Sequence, residues 1–208
     1  RNGFQAVSVE HFPWLDELKR APWSGVICLG RGGSAAGGEF LAALTGREGR
    51  CPVIVSRDYT LPAWYDATWL VLATSHSGNT EETIAATEAA LRMGATAVVI
   101  ATGGHLAGLP ELFPSCYLIP TIGGQPPRTA FGHIFSRQVA VMEHIGLLPA
   151  QSDGERRAML ERLAANNEHF DVIAQPEGDI ALLAAGLMEQ PMAVIGPSEV
   201  GPALNRFQ

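Results

Sequence analysis

Short runs of apolar residues, each bounded by glycine, proline or polar residues, recur along the first two thirds of the chain. Five of these runs are almost continuously apolar and too short for a buried helix, so they predict strands. The runs are 24–30, 51–56, 68–75, 96–104 and 115–120. Because they lack alternating polar positions, both faces of each strand are expected to be covered, as in a parallel sheet.

Segments with helical spacing of apolar residues separate these runs. A short helix is predicted in FPWLDELKR, and GEFLAALTG predicts a second helix that Gly46 ends. Further helical segments follow the third and fourth strands, and a long helix is predicted over 129–148. This alternation predicts an α/β fold, namely a doubly wound three-layer sandwich with a five-stranded parallel sheet.

The pattern changes after Pro149. The charged segment QSDGERRAMLERLAANNEHFD and the apolar segment GDIALLAAGLMEQ predict two helices, and 191–197 predicts one more strand. One strand cannot bury two helices. We therefore expect a first domain over 1–149 and, over 150–208, the truncated beginning of a second α/β domain.

Composition narrows the class of protein. The 208 residues are 47% apolar and 17% charged, and the net charge of −7 argues against a general nucleic-acid binder. A small anionic ligand stays compatible with this charge. No apolar run is long enough for a membrane span, and the start lacks the apolar core of a signal peptide. Cys28, Cys51 and Cys116 lie within apolar runs, so buried thiols and a cytoplasmic setting are expected.

Three glycine- or hydroxyl-rich loops follow the first, third and fifth strands. Ligands of open α/β sheets bind beyond the carboxyl ends of the strands. The first loop is GRGGSAAGG, 30–38. It is compatible with a tight turn or with a phosphorylated or polyhydroxylated ligand that Ser34 contacts. A dinucleotide site is disfavoured, because Ala35 stands where the usual glycine spacing requires a third glycine.

The second loop, SHSGNT over 75–80, places three hydroxyls before a predicted helix. The free amides and the dipole of a helix N-terminus favour an anion. A phosphate site and a helix cap both fit this pattern. Glu81 and Glu82 are expected to face solvent.

The third loop, GGQPPR, ends at Arg128, just before the long helix. A cation is unfavourable at a helix N-terminus, so Arg128 indicates an anionic ligand, a carboxylate partner or exposure to solvent. The six histidines show no metal-ligand spacing, and no G-x-S-x-G motif of a hydrolase occurs. Neither a metal nor a cofactor is expected.

The order of GRGGSAAGGEF, SHSGNTEETI and GGQPPRTAFGHIF resembles the sugar isomerase (SIS) domain family, and within it the bifunctional phosphoglucose/phosphomannose isomerases. The resemblance covers about 24–208. It implies a metal-free, cytoplasmic and dimeric enzyme of glycolysis and gluconeogenesis that interconverts glucose or mannose 6-phosphate and fructose 6-phosphate through a cis-enediol. No nucleic-acid or membrane partner is implied.

The resemblance also implies roles for particular residues. Arg128 matches the arginine that stabilises the enediolate. The substrate and phosphate contacts that it implies are Gly33, Ser34, Ser75, Ser77 and Thr80. The family's catalytic Glu and His are expected beyond Gln208. Three residues depart from the family pattern: Arg31, Glu39 and His76.

Two other functions stay open from the sequence. A non-catalytic sugar-phosphate sensor would use the same loops without the catalytic base. A nucleotide-binding α/β protein would use GRGGS in the first loop.

Overall fold

The structure is a computed structural model that describes residues 12–188 and 190–206. Its contacts divide the chain into two compact units, one ending at Ala150 and the other beginning at Gln151. We call them the sheet unit and the helical unit.

The sheet unit contains the five predicted strands. They are β1 (Gly25–Leu29), β2 (Val53–Ser56), β3 (Trp69–Ser75), β4 (Ala97–Ala101) and β5 (Cys116–Pro120). All neighbouring pairs are parallel, and the strand order is β2-β1-β3-β4-β5. The predicted α/β fold with a five-stranded parallel sheet is therefore confirmed.

Five α-helices flank this sheet in the described part of the unit. They are α1 (Trp14–Leu18), α2 (Gly33–Glu48), α3 (Glu81–Arg92), α4 (Gly104–Leu112) and α5 (Phe131–His144). A 3₁₀ helix, Pro127–Ala130, leads directly into α5. Each strand side chain points to one face or the other in alternation, so every strand contributes to two separate apolar clusters.

One cluster lies between the sheet and helices α1, α2 and α5. It includes Leu72 and Ile100 of the strands, Leu41 of α2 and Val141 of α5. The other lies between the sheet and helices α3 and α4, where Val71 and Val99 belong to the same cluster as Ala86 and Leu106. This gives three layers, with helices on both faces of the sheet.

The strand order reverses between β1 and β3. From β1 the chain passes through α2 to β2 on one side, whereas β3, β4 and β5 follow on the other side. Helices α2 and α3 consequently pack on opposite faces and begin at the same edge of the sheet. A crevice at such a switch point is where open α/β sheets bind ligands.

Helix α2 differs from the prediction at both ends. It begins at Gly33, so most of the predicted loop over 30–38 is helical. Small residues permit this because the helix lies close to β1: a Cβ on Gly38 would lie 2.7 Å from Cβ of Cys28. Gly46 does not end the helix, which continues to Glu48, because an exposed helical glycine costs only about 1 kcal/mol.

The predicted helix over 129–148 is shorter in the structure. Its first residues form the 3₁₀ helix, and α5 ends at His144. Gly146 has a positive φ of 78°, and the amide of Leu147 donates to the carbonyl of Met142. These are features of a helix C-terminus that turns the chain away from the axis.

The helical unit contains α6 (Asp153–His169), α7 (Asp179–Leu187) and α8 (Gly201–Arg206). The prediction of a strand over 191–197 is wrong, because these residues have no regular structure. No strand occurs among the described residues after Ala150 to pair with them, and a lone strand leaves its backbone groups unpaired. That 150–208 begins a second SIS-like domain stays a prediction.

The three cysteines are free thiols: Cys28 and Cys116 are buried, and Cys51 is partly buried. Burial raises the pKa of Cys28 and of Cys116 to about 12, which makes both thiols unreactive. None of the helices in the described segments is long and apolar enough to cross a bilayer.

Candidate functional site

The loop after β3 is closed by hydrogen bonds among its own residues. Ser75 is only 1% exposed to solvent. Its Oγ accepts a hydrogen bond from the amide of Gly78 at 3.1 Å. Ser75 Oγ also lies 2.8 Å from Thr80 Oγ1. With Ser75 as the donor of this second bond, the Thr80 hydroxyl keeps its proton for a ligand.

Gly78 fixes the position of this loop against the neighbouring one. Its φ is +73°, and a Cβ at Gly78 would lie 1.7 Å from the carbonyl oxygen of Gly103. Asn79 Oδ1 accepts from the amide of His105 at 3.0 Å, and the carbonyl of Gly78 accepts from Leu106. The loop is thus anchored to the start of α4, and only glycine fits at position 78.

Ser34 links the first loop to the second. It lies in the first turn of α2, directly after Gly33, and its Oγ accepts from the amide of His76 at 3.2 Å. The structure therefore brings together Ser34 and the 75–80 loop, which the sequence separates by about forty residues. Because α2 and α3 both begin here, two helix N-termini adjoin the same crevice. In α2 the amides of Ser34 and Ala35 donate to the carbonyls of Arg31 and Gly32.

The hydroxyls of this crevice differ in exposure. Ser34 and Ser75 are buried, Thr80 is partly buried, and Ser77 is exposed. Ser77 Oγ accepts from the amide of Asn79 at 3.2 Å, which leaves its own proton available to donate. This arrangement has the chemistry to hold a phosphate with hydroxyl and amide donors alone.

The expectation that Glu81 and Glu82 both face solvent is wrong for Glu82. Its side chain is only 16% exposed and forms an ion pair with Arg31 of the first loop. Glu81 is exposed, and its carboxylate lies 3.4 Å from the Tyr59 hydroxyl. Partial desolvation and the charges of Glu82 and Glu81 raise the pKa of Tyr59.

The third loop reaches the same edge of the sheet. A Cβ at Gly123 would lie 3.6 Å from Cβ of Thr102, whose Oγ1 donates to the carbonyl of His76 at 2.6 Å. The backbone of Arg128 lies in the 3₁₀ helix, but its side chain falls outside the described part of the structure. The rings of Phe40 and Phe131, 5.0 Å apart, tie the start of α5 to α2.

Two further polar residues near this edge are not among the site residues predicted from the sequence. Gln138 of α5 is 1% exposed, and its Nε2 donates to Thr74 Oγ1 at 3.1 Å, directly before the hydroxyl loop. Arg137 Nε donates to the carbonyl of Pro120 at the end of β5, and burial lowers the pKa of this guanidinium. A polar residue within an otherwise apolar helix face was the available signal for Gln138.

Some buried polar atoms at these loops have no hydrogen-bond partner among the described residues: His76 Nε2, Thr121 Oγ1, Gln125 Nε2 and Gln138 Oε1. Three of these residues belong to the second and third loops or follow β5 directly. Over the described positions, no group of three or more His, Cys, Asp or Glu side chains is arranged to hold a metal ion.

Comparison with solved structures identifies the fold. The C-terminal domain of glucosamine-fructose-6-phosphate aminotransferase from Francisella tularensis aligns with a TM-score of 0.62 at 11% identity, over 98% of this chain and 58% of that one. Tagatose-6-phosphate ketose/aldose isomerase from Escherichia coli aligns with a TM-score of 0.51 at 18% identity, over 76% and 47%. The fold is that of sugar isomerase (SIS) domains.

Sequence relatives narrow this class. A protein named bifunctional phosphoglucose/phosphomannose isomerase in Caldicellulosiruptor bescii is 40% identical over 128 residues, which is 62% of this chain and 38% of that protein. Its namesake in Aquifex aeolicus is 34% identical over 165 residues, or 78% and 50%. No protein-family model matches the chain. The resemblance to SIS domains, and to their bifunctional isomerase branch, is confirmed by these relatives and by the fold.

The chain spans about half the length, or less, of the curated relatives it matches.

Proposed function

We propose that this chain is part of an aldose–ketose isomerase that acts on hexose 6-phosphates and interconverts glucose or mannose 6-phosphate with fructose 6-phosphate. The observation that carries the proposal is the preformed hydroxyl loop over 75–80 at the N-terminus of α3, joined to Ser34. The names of the sequence relatives supply the substrate class.

The proposed phosphate site uses Gly33, Ser34, Ser75, Ser77 and Thr80. Ser77 and Thr80 donate their hydroxyl protons to phosphate oxygens, and Ser75 holds Thr80 in position. The backbone amides of the first turn of α3 add donors, and α2 and α3 both begin at the site with the positive ends of their helix dipoles. Binding of the remote phosphate then positions the sugar carbons for reaction.

In the proposed reaction a base removes the proton from C2 of the open-chain aldose, and an enediolate forms as the aldehyde oxygen takes the negative charge. Return of a proton to C1, with transfer of the O2 proton to O1, gives the ketose. Arg128 is proposed to stabilise the oxyanion of this intermediate. The base is assigned to no residue of this chain.

The wider proposal is a cytoplasmic homodimer that serves glycolysis and gluconeogenesis without a cofactor, with 150–208 as the beginning of a second SIS-like domain. A non-catalytic sugar-phosphate sensor is the competing outcome, because it would need the same phosphate loops.

Steady-state isomerisation of fructose 6-phosphate by the complete protein tests this function. Arg128→Ala should lower kcat by about 10²–10³-fold with a much smaller change in KM, because the guanidinium acts on charge that develops in the transition state. Arg47→Ala, an exposed arginine in the last turn of α2, is the matched control and should leave both constants unchanged.

Thr80→Val tests the phosphate site separately. It should raise KM for fructose 6-phosphate, whereas Thr96→Val, at the opposite edge of the sheet, should not. Binding of fructose 6-phosphate without turnover in the complete wild-type protein would favour the sensor. Absence of both binding and turnover would refute the proposal.

A further inference from the structure

Arg31 and Glu82 form an ion pair at the entrance to the proposed phosphate site. Arg31 directly precedes the glycines that lead to Ser34, and its Nη1 donates to Glu82 Oε1. Glu82 stands in the first turn of α3, two residues after Thr80. The pair thus spans the two loops whose hydroxyls form the site.

The side chains of Arg31 and Glu82 differ in their exposure to solvent. The Arg31 side chain is 59% exposed, whereas that of Glu82 is 16% exposed. The carboxylate is therefore held against the protein, while the guanidinium is a long side chain in contact with water. A guanidinium carries five N–H donors, so one that binds a carboxylate through Nη1 keeps donors for a second anion.

The charge of Glu82 creates a problem for an anion at this site. It lies at the positive end of α3, where it competes with a phosphate for the same helix dipole, and it repels a phosphate by its charge. The whole chain adds to this repulsion, with a net charge of −7. At a phosphate site built from uncharged donors, a nearby cation would offset the charge of Glu82.

Other described cations at this edge of the sheet are engaged elsewhere. Arg57 follows β2 and pairs with Glu39 of α2. Arg137 donates to the carbonyls of Pro120 and His133, both at 2.9 Å. The carboxylate that pairs with Arg31, by contrast, belongs to the first turn of α3 itself.

We propose that Arg31 is an additional phosphate-binding residue, which contacts the substrate phosphate while it offsets the charge of Glu82. This inference rests on the proposed function, because it names a further contact of the same site. Arg31 acts on binding and not on the reacting carbons, so its effect belongs in KM and in the affinity for inorganic phosphate.

Substitutions of both partners test the inference in the complete protein. Arg31→Met should raise KM for fructose 6-phosphate about tenfold, the effect of losing one charge-assisted hydrogen bond, and leave kcat within about twofold. Arg31→Lys should recover part of the loss. Glu82→Gln should lower KM, because it removes the repulsion and retains the shape of the side chain. The wild-type KM should also rise with salt more steeply than that of Arg31→Met.

Arg57→Met is the matched control, since it breaks another exposed arginine–glutamate pair one strand away from the switch point. It should leave KM unchanged. Calorimetric titration with inorganic phosphate provides a second readout that requires no turnover, and the affinity should fall for Arg31→Met but not for Arg57→Met. Circular dichroism checks that each variant is folded.

The outcomes separate this inference from the function on which it rests. If wild-type protein binds fructose 6-phosphate and Arg31→Met binds it equally well, the role of Arg31 is refuted and the proposed function stands. If Arg31→Met and Glu82→Gln raise KM alike, the pair is a structural brace, which also refutes the inference. A wild-type protein that binds neither fructose 6-phosphate nor phosphate refutes both proposals.

Discussion

The sheet unit and the helical unit form helices equally well but bury them very differently. Helix α5 of the sheet unit buries Ile134, Val141 and Met142 completely. Helix α7 of the helical unit has the comparably apolar sequence DIALLAAGL, yet Leu182 is 62% and Leu183 57% exposed. The difference shows that burial of an apolar helix face depends on an opposing surface, which the parallel sheet supplies to α5.

The helices of the two units also begin differently. Helix α6 has no buried residue, and it begins with a capping box in which Ser152 and Glu155 exchange side-chain and backbone hydrogen bonds. In the sheet unit, α2 and α3 begin without any side-chain cap, and the amides of Ser34 and Ala35 in α2 donate to backbone carbonyls instead. The unit with the candidate site thus forgoes the caps that the other unit uses.

The largest expected effect concerns matched leucines in the two units. Leu72→Ala, in the fully buried centre of β3, should lower the free energy of unfolding by about 2–5 kcal/mol, because it leaves a cavity. Leu182→Ala should change it by less than about 0.5 kcal/mol. Urea titration followed by tryptophan fluorescence measures the sheet unit, since all four tryptophans precede residue 150, and far-ultraviolet circular dichroism adds the helices of the helical unit. Equal losses would show that the helical unit has a core of its own.

The second-largest expected effect concerns two glycines, one in each unit. Gly78→Ala should destabilise the sheet unit by about 1–3 kcal/mol and weaken phosphate binding, because its positive φ and the carbonyl of Gly103 oppose a Cβ. Gly186→Ala lies in α7, where nothing would meet a Cβ within 4 Å, and should stabilise that helix by up to about 1 kcal/mol. Thermal unfolding and phosphate titration report the two effects. An unaffected Gly78 variant would contradict the anchoring of the loop.

The smallest effect is a pH dependence. Hydrogen bonds from His105 and then Arg92 hold the pKa of Glu88 below its ordinary value of 4.5. A lowered folded-state pKa stabilises the fold above the unfolded pKa, and this contribution disappears as the pH falls through the folded pKa. Glu88→Gln should therefore cost less than about 1 kcal/mol at neutral pH, with the difference from wild type vanishing in acid below that pKa.

Urea titrations of wild type and Glu88→Gln across pH 2–7 measure this difference. Glu155→Gln is the counterpart in the helical unit, where hydrogen bonds from Ser152 lower the pKa of the carboxyl. It should reduce the helix signal in circular dichroism at neutral pH and leave the tryptophan transition unchanged. A Glu88 difference that grew in acid would have the wrong sign for this account.

The sequence predicts most of the fold because each strand is an apolar run with glycine or polar residues on either side. It fails where tertiary contacts overrule local signals. Gly33 begins a helix because small residues allow close packing on β1, and Gly46 continues one because its cost is small. The apolar run over 191–197 has strand character but no neighbour among the described residues to pair with.

The candidate site is predictable in its loops but not in its connections. The hydroxyl loop over 75–80 is visible in the sequence as a motif. The bond from His76 to Ser34 and the pair between Arg31 and Glu82 each join residues far apart in the chain, so only the fold reveals them. Gln138 depends likewise on the packing of α5 against β3.

The hydrogen bonds that join Ser75 Oγ to the Gly78 amide and to Thr80 Oγ1 have a consequence for the proposed recognition of phosphate. Because these bonds form within the folded loop, a phosphate bound as proposed would find its donors already aligned, and binding would cost little further chain entropy. Encounter is then governed by diffusion and long-range charge and not by a slow rearrangement of the backbone. Stopped-flow association should accordingly stay a single phase whose rate rises linearly with ligand concentration.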